Sequence, residues 1–265
     1  MTEMRDVFTD LVTEGDELDA IVAGLTPEEW EIETPSPGWT VTHQVAHLAF
    51  IAHLARTAAT DAEGFQRLAN AAKGDFQAAV DGMLAAYMKD SAPHILERWR
   101  VERTAADAAL AEAGPDAIVP WLVNPLPASV LAAAGMMELY GHGQDVRDAL
   151  GMVRVPSDRI GHLVFFATRT RDFGYLARGI EPPKEEFRFE VSAPSGQVWA
   201  FGPEDAEQRI TGTAEDLCLL VARRRHRDDL GLVATGKEAE GWLDIAQAYR
   251  GPAGEGRRPG QFAAI

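Results

Sequence analysis

The sequence predicts an α+β chain, with a helical bundle over residues 1–152 and a smaller α/β unit over 153–265. Three observations carry this. Apolar residues recur at helical spacing through roughly the first 150 positions, alternating apolar and polar runs begin only after Gly151, and the connections are short and rich in proline and glycine.

The elements follow in order. Val7, Leu11, Leu18, Ile21, Val22 and Leu25 fall near a helical period and predict a helix over about 3–25. "TPEEW" (26–30) starts a short helix, with Thr26 as cap, Pro27 at the first position and Glu29 three residues past the cap. "ETPSPGW" (33–39) is a turn. A long helix opens near Thr40 with "TVTHQVAHLAFIAHLAR", and a further helical stretch over about 60–88 is expected to break near Gly74. Ser91-Ala92-Pro93 opens a helix running to Ala113, "VNPLPAS" (123–129) is a loop, and a last helix spans about 128–150. Long helices with short connections predict an antiparallel four-helix bundle.

"MVRVPSD" (152–158) links to the second unit, which opens with a helix over about 158–178. "FRFEVSA" (187–193) and "QVWAFG" (197–202) alternate around a "PSG" turn and predict a hairpin. "QRITG" (208–212) and "LGLVATG" (230–236) are two more strands, with the helix "TAEDLCLLVARRR" (213–225) between them.

The chain carries 41 acidic and 25 basic side chains, a formal charge of −16. Such a surface repels nucleic acid and anionic lipid, so neither is an expected partner. The basic run "ARRRHRDDLG" (222–231) is followed at once by two aspartates and is taken as a solvated helix end. The single cysteine, Cys218, is expected as a small core residue and fits a reducing compartment. The acidic, amphipathic N-terminus lacks the pattern of a secretory signal, and no apolar run approaches the roughly 20 residues of a membrane span; a cytoplasmic location is expected.

The chemistry concentrates in two helices. Glu138 and His142 are four apart, so a carboxylate and an imidazole share one face. "HQVAH" places His43 and His47 four apart on the helix after the turn. In a bundle, inward side chains of facing helices build metal sites, and His47, Glu138 and His142 would form a two-histidine, one-carboxylate site with an open position. Zinc suits this donor set, and nickel, iron or cobalt would also be accepted. Gly141 and Gly143 flank His142 at a cost of roughly 1 kcal/mol each in helix stability, which predicts a close approach of substrate or backbone beside that imidazole. Trp39 is expected as a packing anchor under the turn.

"PGWTVTHQVAHLA" (37–49) and "ELYGHGQDVRDALG" (138–151) resemble segments of the DinB-like metal-binding bundles, in the branch of mycothiol-dependent maleylpyruvate isomerase. The resemblance covers most of the chain and implies a sterol-carrier-protein-like domain after the bundle. It places the zinc ligands on His47, Glu138 and His142, and gives Asp145 an orienting role one turn beyond. His43 departs from the family pattern, as a fourth ligand or proton carrier. "EDLCLLVARR" places Arg224 where the isomerase carries a functional arginine, although the glycine that precedes it in the family is absent. The resemblance further implies mycothiol as co-substrate, held as thiolate and added to a small electrophile, for isomerisation or S-transfer. A hydrolase using metal-bound water and a non-enzymatic binding module are the alternatives.

Overall fold

A computed structural model describes residues 5–71, 76–122 and 124–262. They form two compact units, Asp6–Arg154 and Val155 onward.

The first unit is helical. Its long helices are α1 (Val7–Val22), α3 (Val41–Thr60), α6 (Ala92–Ala113) and α7 (Ala128–Leu150), joined by the short α2 (Pro27–Trp30), α4 (Ala62–Ala71) and α5 (Phe76–Tyr87). The expected cap of α2 is present: Glu29 N–H donates to Thr26 Oγ1 and Thr26 N–H to Glu29 Oε2. The break expected near Gly74 lies outside the described residues.

Contacts between helices fix their directions. Asp19 pairs with Arg100 and Asp16 with Arg103, so α1 and α6 run antiparallel. Gln44 faces Asp145 and His47 faces Glu138, so α3 and α7 are antiparallel too. Gly135 makes room for Leu11 and Gly143 for Leu18, so α1 and α7 run parallel. It follows that α3 and α6 also run parallel, and the bundle departs from the alternating arrangement that the sequence predicts. The return between α3 and α6 is made by residues 61–90, which hold α4 and α5. Two short strands, β1 (Ile118–Val119) and β2 (Leu126–Pro127), pair antiparallel where only a loop is predicted. Two residues flanked by prolines leave no period to detect.

The second unit carries a mixed four-stranded sheet. Its strands are β3 (Phe187–Ser192), β4 (Val198–Phe201), β5 (Gln208–Thr213) and β6 (Val233–Thr235), in spatial order β4-β3-β5-β6. β3 pairs antiparallel with β4 across the predicted hairpin, where Gly196 supplies the left-handed turn residue, and parallel with β5. Phe187, Phe189, Val191 and Ile210 are buried.

The helix expected over 158–178 is interrupted. A 3₁₀ turn at Asp158–Ile160 leads into α8 (Gly161–Arg169), and α9 (Phe173–Leu176) follows. At the break, Thr170 Oγ1 donates back to the Phe166 carbonyl, a local bond that competes with the helix ladder. The helix α10 (Ala214–Val221) stops before its arginines, earlier than residue 225. Arg223 adopts a left-handed φ of 57°, and Arg224 N–H closes on the Leu219 carbonyl as a C-terminal cap. Cys218 is fully buried. A last helix, α11 (Lys237–Ile245), sets Trp242 edge-on to Phe187 and Phe189. Sequence reasoning missed it, because an interior Gly241 and only Ala239, Trp242 and Leu243 facing inward make a weak helical signal.

Candidate metal centre

The site starts with a turn. Residues 33–40 fold back on themselves, with a bridge between Glu33 and Thr40 and with both the backbone N–H and the hydroxyl of Thr34 donating to the Trp39 carbonyl. Thr40 then begins α3. His43 accepts from the Thr40 backbone N–H through Nδ1, which secures the first turn of that helix. Burial pushes the His43 imidazole pKa down, against an opposing pull from Glu31. Nδ1 of His43 is therefore engaged at the helix start, and His43 is not among the converging donors, where a fourth ligand was one expectation.

One turn further along α3, His47 meets α7. The donor atoms of His47, Glu138 and His142 all lie within 4.8 Å of one another. His47 Nε2 is 3.5 Å from Glu138 Oε2, and His142 Nε2 is 3.2 Å from the same oxygen. Two ligands about 2.0–2.1 Å from one tetrahedral zinc are themselves roughly 3.3 Å apart, so these spacings fit a shared ion. Burial alone would push the Glu138 carboxyl up, but the two histidines hold it well below the usual carboxylate range. Glu138 thus presents an anion to the site. His47 Nδ1 is buried with no hydrogen-bond partner among the described residues, while Nε2 is the atom that faces Glu138. The donor set fits a divalent cation.

Behind the site, Asp145 is fully buried. Its Oδ2 accepts from Ser36 Oγ at 2.7 Å and from Gln44 Nε2 at 3.3 Å. Gln44, also fully buried, lies 2.5 Å through Oε1 from His142 Nδ1. Asp145 therefore reaches His142 through Gln44, a residue that sequence reasoning missed. The available signal was a polar residue between two histidines on a face that is otherwise apolar.

In front, Trp39 packs on the histidines. Its ring stacks on His142 with centroids 5.9 Å apart, and lies 5.3 Å from the His47 ring. The indole thus walls the metal centre, and its role extends beyond anchoring the turn.

Gly143, beside His142, has another reason than the one predicted. A Cβ on Gly143 would lie 3.0 Å from Arg147 Nη1 and 3.4 Å from Arg154 Nη2. The space is taken by two buried guanidinium groups and by Leu18, on the side of α7 facing α1. Arg224 belongs to the second unit, where its guanidinium donates to the Ala222 carbonyl.

A family model described as mycothiol maleylpyruvate isomerase N-terminal domain matches residues 11–147, and one described as wyosine base formation matches 183–235. Two relatives from Mycobacterium tuberculosis, uncharacterized protein MT0041 of strain CDC 1551 / Oshkosh and uncharacterized protein Rv0036c of strain ATCC 25618 / H37Rv, are each 41% identical over 257 residues. These cover 97% of this chain and all of theirs. Among solved structures, the mycothiol-dependent maleylpyruvate isomerase and a histidine-to-alanine mutant of it share the fold. Their TM-scores are 0.56 and 0.57 at 17% identity, over 86% of this chain and 91% of theirs. With the bundle matched over most of its length and relatives aligned almost end to end, the chain belongs to the family of the mycothiol maleylpyruvate isomerase N-terminal domain.

Proposed function

We propose that this chain is a metal-dependent enzyme that activates a low-molecular-weight thiol, mycothiol in the first instance, for isomerisation of, or S-transfer to, a small electrophile. The observation that carries the reading is the convergence of His47, Glu138 and His142 from two helices. Three protein donors leave a coordination position for a ligand from solution, the pattern of a catalytic site. A divalent ion, zinc as the leading choice, supplies Lewis acidity that lowers the pKa of a bound thiol into the neutral range.

The chain's own residues do the rest. Glu138, held ionised, offsets part of the ion's charge. Gln44 and Asp145 hold the His142 ring from behind. Trp39 shields the imidazoles and narrows approach to the centre. Family membership supports a thiol partner over water, and the fold likeness to the isomerase agrees with it.

The test combines metal analysis with thiol-dependent turnover. Purified protein should hold about one divalent ion per chain, and His47→Ala should lose both the ion and activity toward small unsaturated acids and other electrophiles. Turnover should require mycothiol. Equal turnover without any thiol would replace this reading with a metal-water hydrolase. Ligand binding without turnover across the panel would replace it with a binding module.

A further inference from the structure

The strongest unassigned feature is a buried chain of hydrogen bonds whose direction is fixed at one end. The Thr34 hydroxyl donates to the Trp39 carbonyl at 2.7 Å, so its oxygen can only accept from Gln44 Nε2, which lies 2.8 Å away. The second hydrogen of that amide points at Asp145 Oδ2, which also receives the Ser36 hydroxyl. Both neighbours on the nitrogen side of Gln44 are acceptors. The amide is thus held in one of its two orientations, with Oε1 toward His142.

A carbonyl oxygen 2.5 Å from an imidazole nitrogen needs a proton between them. A neutral imidazole has one N–H, and here it sits on Nδ1. Nε2 is left with its lone pair, aimed at the oxygen of Glu138. Two acceptors 3.2 Å apart repel unless a positive charge stands between them, a second ring proton in the metal-free protein or a bound cation in its place.

We infer that Gln44 is the residue that fixes His142 in its metal-ligating tautomer, with Asp145 acting at one remove by fixing Gln44. The inference rests on the reading of the triad as a metal site. It assigns the site's orientation to a glutamine on α3, where the family resemblance points to the aspartate on α7. It also makes the two histidines unequal. His142 is oriented by this relay, whereas His47 Nδ1 has no such partner among the described residues and the ring is placed by packing and by Nε2 facing Glu138. Trp39 and Thr34 tie the same relay to the turn over residues 33–40.

Nitrogen-15 NMR of the imidazole rings in metal-free protein tests this without any catalytic readout. Wild type should show His142 protonated at Nδ1. Gln44→Met keeps the side-chain volume and removes the acceptor, and His142 should shift toward the Nε2-protonated form. Asp145→Asn does not touch His142, yet it frees the Gln44 amide to rotate and should move the same resonances. In parallel, zinc affinity measured against a chromophoric chelator should fall 10- to 100-fold in both variants, the range for losing a group that orients a ligand. Cobalt loaded into wild type and variants should report the same change in its visible spectrum. His142 unchanged at Nδ1 in folded Gln44→Met, with zinc affinity within twofold of wild type, would overturn the inference. Wild type that shows the Nδ1 proton but binds no divalent ion would keep the relay and remove the metal reading, so the two fail separately.

Discussion

Trp39 and His142 lie nearly parallel, their ring planes 19° apart, so the indole forms one wall of the candidate metal centre. A wall that packs on two ligands slows the exchange of whatever sits behind them. Trp39→Leu is expected to leave stoichiometric metal binding intact while raising the rate at which a chelator removes the ion by an order of magnitude. Stopped-flow chelation on the two proteins checks this, and equal rates would show that the ring has no such role.

The other face of α7 carries a buried ion pair. Arg154 Nη1 lies 2.5 Å from Glu14 Oε1, both side chains almost wholly covered, and Arg154 also stacks over the Tyr140 ring at 4.2 Å. Arg147 stands close by. Burial, reinforced by repulsion from Arg154 and opposed by Glu14, pushes its guanidinium down to about 10. Removing the carboxylate from such a cluster strands buried positive charge, so Glu14→Ala should cost about 3–5 kcal/mol. Urea unfolding measures it. A loss below 1 kcal/mol would mean that the arginines relax into solvent.

These contacts show what was legible in the sequence and what was not. His47, Glu138 and His142 were readable because helical spacing places residues four apart on one face. The capped α2, the Gly196 hairpin and the buried Cys218 followed from equally local rules. Glu14 and Arg154 are 140 positions apart, and no local pattern links them. The purpose of Gly143 was misread for that reason: its missing side chain serves a guanidinium cluster that only the packing of α1 on α7 creates. Gln44 was missed because a polar residue on a buried face is informative only once its partners are known. The parallel pairing of α1 with α7 depends on the long return between α3 and α6, and helix periodicity carries no direction.

Asp107 gives a pH dependence. Burial raises its carboxyl to about 6, partly opposed by Arg103 and reinforced by Asp16. The folded state then binds a proton more tightly than the unfolded chain does. Stability from this group is present at low pH and is lost as pH rises from about 4 through 6. Asp107→Asn should flatten that decline and stabilise the protein at pH 7 by on the order of 1–2 kcal/mol after solvent screening. Thermal melts of both proteins from pH 4 to 8 provide the comparison. A wild-type-like pH profile in the variant would count against it.

In the second unit, Gly174 abuts the backbone before residue 246. A Cβ there would fall 2.1 Å from the Ile245 carbonyl oxygen, and a backbone atom cannot swing aside as a flexible side chain can. Gly174→Ala should therefore cost about 1–3 kcal/mol. It should also loosen α11, whose Trp242 Nε1 donates to the Arg171 carbonyl in the core. Near-UV circular dichroism and a melt of this variant would show both effects, and an unchanged melting temperature would place the helix end further from Gly174 than described.

The two halves of the metal centre come from distant parts of the chain: Gln44 and His142 alone are 98 positions apart. An ion held between them bridges a very long loop in the native state, and it stabilises that state by binding it and not the unfolded chain. The centre therefore cannot be assembled by either helix alone during synthesis. Loading becomes a late event that reports completed tertiary structure. An ion at a hundred times its dissociation constant would add about 2.7 kcal/mol to the stability of the whole bundle.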